Sequence, residues 1–91
     1  MRTDQLPGNE LVQAGIEDLY RGVETIPALL VSIGAPRLRR LGFSLPNSTI
    51  SLPEQRLYRK LAESDPDGAH SRYNALIRRL VSFERAAECA R

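Results

Sequence analysis

The sequence predicts an all-α domain, folded as a compact irregular or orthogonal bundle of helices. Apolar residues recur three and four positions apart through most of the 91 residues, which is the period of an amphipathic helix. Helix start and stop signals divide the chain into separate helical segments. A β-strand is conceivable only at residues 48–52, and no pairing partner for it is found elsewhere. We expect three main helices and two short ones, at residues 9–21, 53–63 and 66–90 and at residues 26–33 and 36–41.

Composition and length bound the class of protein. An apolar content of 42% and a charged content of 26% are typical of soluble globular domains. No apolar run approaches the roughly 20 residues that span a membrane, and no signal-peptide pattern opens the chain. We therefore expect a cytoplasmic protein with a single helical domain at residues 9–91, preceded by a flexible N-terminus at residues 1–8.

The first helix has a regular apolar face. Val12, Ile16, Leu19 and Val23 follow one another at spacings of four, three and four. Gly15 lies beside this face and costs about 1 kcal/mol of helix propensity relative to alanine. Either a close helix–helix approach requires this glycine, or it is a neutral substitution on the surface of the helix.

The two short helices follow from glycine and proline positions. Thr25 is a good N-cap, and residues 28–33 are apolar almost all round, which predicts a helix buried on most sides. Gly34 is expected to end that helix, and Pro36 to open the next one, which Gly42 ends.

The last helix has the clearest pattern in the chain. Asp65 and Pro66 form a helix start signal, although a start near Ala69 is the alternative because Gly68 weakens the first turn. Spacings of three, four, three, four and three then place six apolar residues on one stripe. These are Tyr73, Leu76, Leu80, Phe83, Ala87 and Ala90.

The length of that helix points to a partner. It would be about 37 Å long, whereas a compact chain of this size has a radius of gyration near ~12 Å. We expect its C-terminal end to project, so that Phe83, Ala87 and Ala90, with Cys89 alongside, are covered by a second copy of the chain or by a larger protein. Cys89 is the only cysteine, so an internal disulfide and a Cys-based zinc site are excluded.

Charge is unevenly distributed along the chain. Residues 1–34 carry two basic and five acidic side chains, whereas residues 35–60 carry six basic and one acidic. Residues 25–43 have the outline of a helix-turn-helix DNA reader. The alternatives are a solvated basic rim and a contact with an acidic protein. The basic side chains that would contact nucleic acid or another anion are Arg37, Arg39, Arg40, Arg56, Arg59 and Lys60.

Two further groups of charged residues have local explanations. Arg79 borders the apolar stripe of the last helix, and if it is buried, Glu17 or Asp18 is the expected partner. His70, the only histidine, lies near Asp65 and Asp67, where a metal site or a general base is one interpretation and a helix start is the other. We expect the structural role, and no metal or cofactor.

These observations favour a small non-catalytic helical module for protein interaction or regulation, of adaptor or bacterial antitoxin type, acting through its C-terminal helix. Nucleic-acid binding is the alternative. An enzyme using His70 is a third class, which the sequence does not favour because it has neither a nucleophile elbow nor a phosphate-binding glycine loop.

Overall fold

The computed structural model describes residues 6–47 and 49–90. Within these ranges the chain forms helices only, as the apolar periodicity predicts, and they pack into a compact body. There are four, not three main helices and two short ones. They are α1 (Asn9–Arg21), α2 (Ile26–Arg40), α3 (Pro53–Ser64) and α4 (Ala69–Cys89). None of them combines the length and apolar character that crossing a membrane requires.

The difference in number arises in α2, which continues through Gly34 and Pro36. Pro36 lacks the N–H that would bond to the carbonyl of Ser32, so it removes one hydrogen bond from the helix. Burial of the residues on both sides of this point outweighs that loss, since packing supplies most of the stability of helices in proteins. The prediction of a turn here was wrong, and residues 25–43 do not form a helix-turn-helix.

α2 is the central helix, and it contacts each of the other three. Thr25 is its N-cap as predicted: its hydroxyl accepts a hydrogen bond from the backbone N–H of Ala28 at 3.2 Å. The predicted burial on most sides is also confirmed. The buried residues of α2 are Ala28, Leu29, Leu30, Val31, Ser32, Gly34, Ala35 and Leu38.

α1 packs very closely against α2 at Gly15. A Cβ atom at this position would lie 2.3 Å from the carbonyl oxygen of Pro27 and 2.4 Å from Cγ2 of Val31. Of the two explanations for this glycine, close approach of the helices is therefore correct.

The connection from α2 to α3 is held against the body of the protein. The Phe43 ring lies 5.3 Å from the ring of Phe83, and the backbone N–H of Ile50 donates to the Ser32 hydroxyl at 3.3 Å. Arg39 donates to the carbonyl oxygen of Pro46 at 2.6 Å. This loop therefore covers part of α2 and α4.

α4 begins at Ala69, the later of the two expected starts, because Asp65 closes a turn by accepting a hydrogen bond from the Gly68 N–H at 3.1 Å. The helix is about 32 Å long, and the molecule measures 39 × 25 × 17 Å. α4 is therefore shorter than the longest dimension of the molecule. Its C-terminal half is packed against the body and does not project as expected. Its burial is greatest in the C-terminal half, where Phe83 contacts the loop.

The N-terminus was predicted to be flexible over residues 1–8. Residues 1–5 lie outside the described part of the chain. Leu6 packs against the core, and its carbonyl oxygen accepts a hydrogen bond from the Asn9 N–H at 3.2 Å.

The contact at Gly15 predicts the effect of a Gly15→Ala substitution. In an open helical site alanine would stabilise the protein by about 1 kcal/mol. Here the added methyl meets backbone atoms of α2, so we expect urea denaturation to show a net loss of about 2 kcal/mol of unfolding free energy.

Gly22→Ala is the control for this measurement. Gly22 has a φ of 73° but no atom within 4 Å of an added Cβ, so strain alone costs about 1 kcal/mol. A Gly15→Ala protein as stable as the wild type, or more stable, would show that α1 and α2 do not approach closely.

Candidate functional site

The predicted partner face on α4 is largely internal. Phe83 is fully buried and Ala87 nearly so, within the chain itself. The ring of Phe83 contacts that of Phe43 in the loop, and Phe83 belongs to the hydrophobic core cluster. Cys89 is exposed and Ala90 is half-buried. Of the four predicted interface residues, Phe83 and Ala87 are thus covered within the chain, whereas Cys89 and Ala90 retain accessible surface.

The six basic residues proposed for an anion do not form one open patch. Arg37 pairs with Glu88, and Arg56 pairs with Glu24 at 3.0 Å. Arg39 is bonded to the loop, and Arg40 lies beside Arg37 in a shallow cleft. Arg59 and Lys60 lie together on α3.

Arg79 also has a partner within the chain. Its guanidinium lies 2.8 Å from the Glu10 carboxylate at the start of α1. Glu17 or Asp18 was expected as its partner only if Arg79 were buried, and Arg79 is exposed. Glu10 lies close because Gly8, just before α1, packs against the backbone of Arg79.

The segment around His70 has structural roles. Asp65 closes the turn before α4, and the His70 ring accepts a hydrogen bond from the Asn74 side-chain amide at 3.2 Å. Among the described residues no group of three or more histidine, cysteine or acidic side chains is arranged to hold a metal ion.

An open apolar groove lies between α2 and α4, with a volume of about 270 Å³. Its walls are aliphatic and its rim at one end is charged. We call it the α2–α4 groove; its lining residues are Ile33, Gly34, Pro36, Arg37, Arg40, Ile77, Leu80, Val81 and Glu84. Gly34 lies where the helices come together, since a Cβ there would be 3.0 Å from a methyl group of Leu80.

Glu84 is the unusual residue of this groove. It is only 5% exposed, and its Oε2 would lie 2.9 Å from a Cβ at Gly34. Its nearest cation is the Arg37 guanidinium, 3.8 Å away, which is too far for a hydrogen bond. Burial raises the pKa of the Glu84 carboxyl above its usual value, and Arg37 opposes that rise.

The Glu84 carboxylate faces the groove. No hydrogen bond to it is found within the described residues, yet none of their fully sealed side-chain oxygen or nitrogen atoms lacks a partner. The carboxylate therefore meets solvent through the groove, where an incoming donor can reach it.

The charged end of the groove continues into a second cleft of about 380 Å³. Arg37 lines both, and its guanidinium donates to the Glu88 carboxylate at 2.6 Å. Arg40 and Leu41 line the remainder. Because Arg37 forms its shorter contact with Glu88, Glu84 keeps only part of the charge compensation that a buried acid needs.

The sequence contains a signal for this site. Leu80, Glu84 and Ala87 follow one another at spacings of four and three, so an acid stands within a run of core positions. Arg37 and Arg40 were predicted as site residues from the sequence, whereas Glu84 was not. Periodicity places Glu84 at the border of the apolar stripe, and only the approach of α2 at Gly34 buries it.

Glu84 predicts a pH dependence of stability. Its folded-state pKa lies above the unfolded-state value, so the folded protein binds the extra proton between the two, and stability falls as pH rises through that window. Glu84→Gln removes this loss. We expect the free energy of unfolding of the variant to match that of the wild type near pH 4 and to exceed it at pH 7 by on the order of 1 kcal/mol. Urea denaturation at low protein concentration measures it.

Glu63→Gln, on the exposed side of α3, is the matched control and should follow the wild-type curve. Parallel curves for the wild type and Glu84→Gln from acid to neutral pH would contradict a desolvated carboxylate at position 84.

Comparison with known proteins gives no relative: no family model, no curated protein and no solved structure matches this chain.

Proposed function

We propose that this chain is a non-catalytic module for protein interaction or regulation, and that it binds a second copy of itself through the α2–α4 groove. One observation carries the proposal: the buried Glu84 carboxylate, to which no other described residue donates a hydrogen bond, opens into an apolar groove. A cytoplasmic location is part of the proposal, because the exposed Cys89 is a free thiol, and reducing compartments preserve free thiols.

The groove has the physical properties of an interface core. Ile33, Ile77 and Val81 are half-buried and Pro36 is exposed, so aliphatic surface remains in contact with water. Covering it would be favourable by roughly 25 cal/mol for each Å² removed from solvent. A donor brought by a partner would also compensate Glu84, whose desolvation cost is already present in the free protein.

Self-association is supported by the charges around the groove. Its charged end carries Arg37 and Arg40 together with Glu84 and Glu88, so the face has both signs in equal number. An isologous interface requires one surface patch to complement itself. A strongly acidic or strongly basic partner would meet like charges on this face.

Nucleic-acid binding is the second candidate, and the pair Arg59 and Lys60 on α3 favours it. It has less support because Arg37, Arg39 and Arg56 already contact groups within the chain. Phosphate contacts weaken steeply with salt. Our proposal predicts no retention of duplex or single-stranded DNA or RNA in a gel shift at about 50 mM salt; retention there that is lost at about 200 mM would support the second candidate.

The groove predicts the effect of Val81→Arg. A charged side chain at the centre of the aliphatic wall would be desolvated on association, so we expect the dissociation constant of the dimer to rise about 30-fold or more. Sedimentation velocity over a range of protein concentrations measures it, and circular dichroism checks that the variant remains folded.

Val23→Arg is the matched control. Val23 is 46% exposed and lies in the turn after α1, away from the groove, so this variant should associate like the wild type. A wild-type chain that stays monomeric at every concentration, or equal weakening by both substitutions, would overturn the proposal.

A further inference from the structure

α4 has a second stripe beside its buried one. Six residues recur at spacings of four, three, four, three and four, so they share one face of the helix. This stripe includes the α4 wall of the groove and continues past it in both directions. In order along α4 it consists of His70, Asn74, Ile77, Val81, Glu84 and Glu88.

The chemistry of the stripe changes from one end to the other. The N-terminal pair, His70 and Asn74, carries N–H groups; the central pair is aliphatic; and the C-terminal pair, Glu84 and Glu88, carries carboxylates. The spacing reads the same in both directions. A second α4 laid antiparallel on the first therefore brings each end of the stripe onto the opposite end of its copy.

We propose that α4 pairs antiparallel with α4 of a second copy, about a twofold axis midway between Ile77 and Val81. This inference rests on the proposed function and specifies its geometry. Ile77 then faces Val81 of the second copy, and the aliphatic centres cover each other. Each α4 also lies along the groove of the other chain, where Ile33 and Pro36 of α2 line the far wall.

The inner polar layer supplies the hydrogen bond that Glu84 lacks. It joins Glu84 to Asn74 of the second copy, and Asn74 is half-buried about one turn before Ile77, which lines the groove. The Asn74 side-chain nitrogen has two hydrogens, of which one bonds to the His70 ring. The other is available to the carboxylate, and hydrogen bonds to ionised groups are among the strong ones.

The outer layer joins His70 to Glu88 of the second copy. In its bond with Asn74 the His70 ring accepts at Nε2, which leaves Nδ1–H as a donor. His70 and the Glu88 side chain are exposed. Glu88 keeps its Arg37 contact and has lone pairs for a second donor. Because this layer is exposed, it favours the antiparallel orientation of the two helices more than it adds to the affinity.

The parallel arrangement is disfavoured by the same residues. It would place Glu84 against Glu84 of the second copy and Glu88 against Glu88. Like charges opposed in an interface are strongly destabilising, and Glu84 is already desolvated. The antiparallel arrangement replaces both repulsions with donor–acceptor pairs.

Crosslinking with a short bismaleimide tests the direction of the pair. Every variant carries Cys89→Ser, since that exposed thiol is the only native one. One chain carries His70→Cys and the other, made longer by an affinity tag, carries Glu88→Cys. The two are mixed in equal amounts. We expect the crosslinked product to be the mixed dimer, and each chain alone to crosslink poorly.

Sedimentation of the same uncrosslinked mixture separates two kinds of failure. If the mixture and the wild type are monomeric, the proposed function fails and the inference fails with it. If a dimer is present but each chain crosslinks to itself, or no crosslink forms, the antiparallel pairing is overturned while dimerisation through the groove stands.

A double-mutant cycle tests the inner layer. Asn74→Ala should raise the dissociation constant of the dimer about tenfold or more, since it leaves Glu84 unpaired. After Glu84→Ala, the same Asn74→Ala change should have little further effect. Asn47→Ala, in the exposed loop, is the control and should change nothing. Equal effects of Asn74→Ala with and without Glu84 would show that the two residues do not meet across the interface.

Discussion

The burial of α2 on most sides is the constraint on which the rest of the structure depends. A helix that is apolar on most sides leaves little surface for water, so the other elements must surround it. α1 covers one side with Gly15 against the α2 backbone, while α3 and α4 cover others. The same requirement keeps the helix intact through Pro36, because a break there would separate core residues that have to pack together.

That constraint also creates the groove. α4 can approach α2 only where a side chain is missing, and Gly34 supplies that point. Beyond it the helices leave aliphatic surface between them, and Glu84 lies beside Gly34. The burial of its carboxylate is a consequence of the packing that buries α2. Arg37 compensates the charge only partly, because its guanidinium is shared with Glu88. The stability of the fold and the character of the site are therefore linked.

The parts of the fold that sequence reasoning predicted are those that local physics decides. The apolar face of α1 at Val12, Ile16 and Leu19, the Thr25 cap and the burial of residues 28–33 on most sides follow from periodicity and capping, whereas Val23 lies beyond α1 and is exposed. Gly34 and Pro36 led to the wrong prediction of a turn, because both residue types tend to end helices. The packing that overrides this local preference is contributed by residues distant in sequence. Ala87 was expected to be covered by a partner, but it is buried within the chain.

The proposed partner face therefore lies on the expected helix, rotated by about one residue (roughly 100°) from the expected stripe. The larger apolar stripe is used within the chain, and the mixed stripe of His70, Asn74, Ile77, Val81, Glu84 and Glu88 is left. A stripe with so few aliphatic residues does not by its composition predict an interface. Glu84 does favour one, because the free-energy cost of removing its carboxylate from water is already present in the free chain. A hydrogen-bond donor of a partner therefore compensates the charge without a further desolvation cost for Glu84. Such a partner gains affinity where a wholly solvated acid would offer almost none.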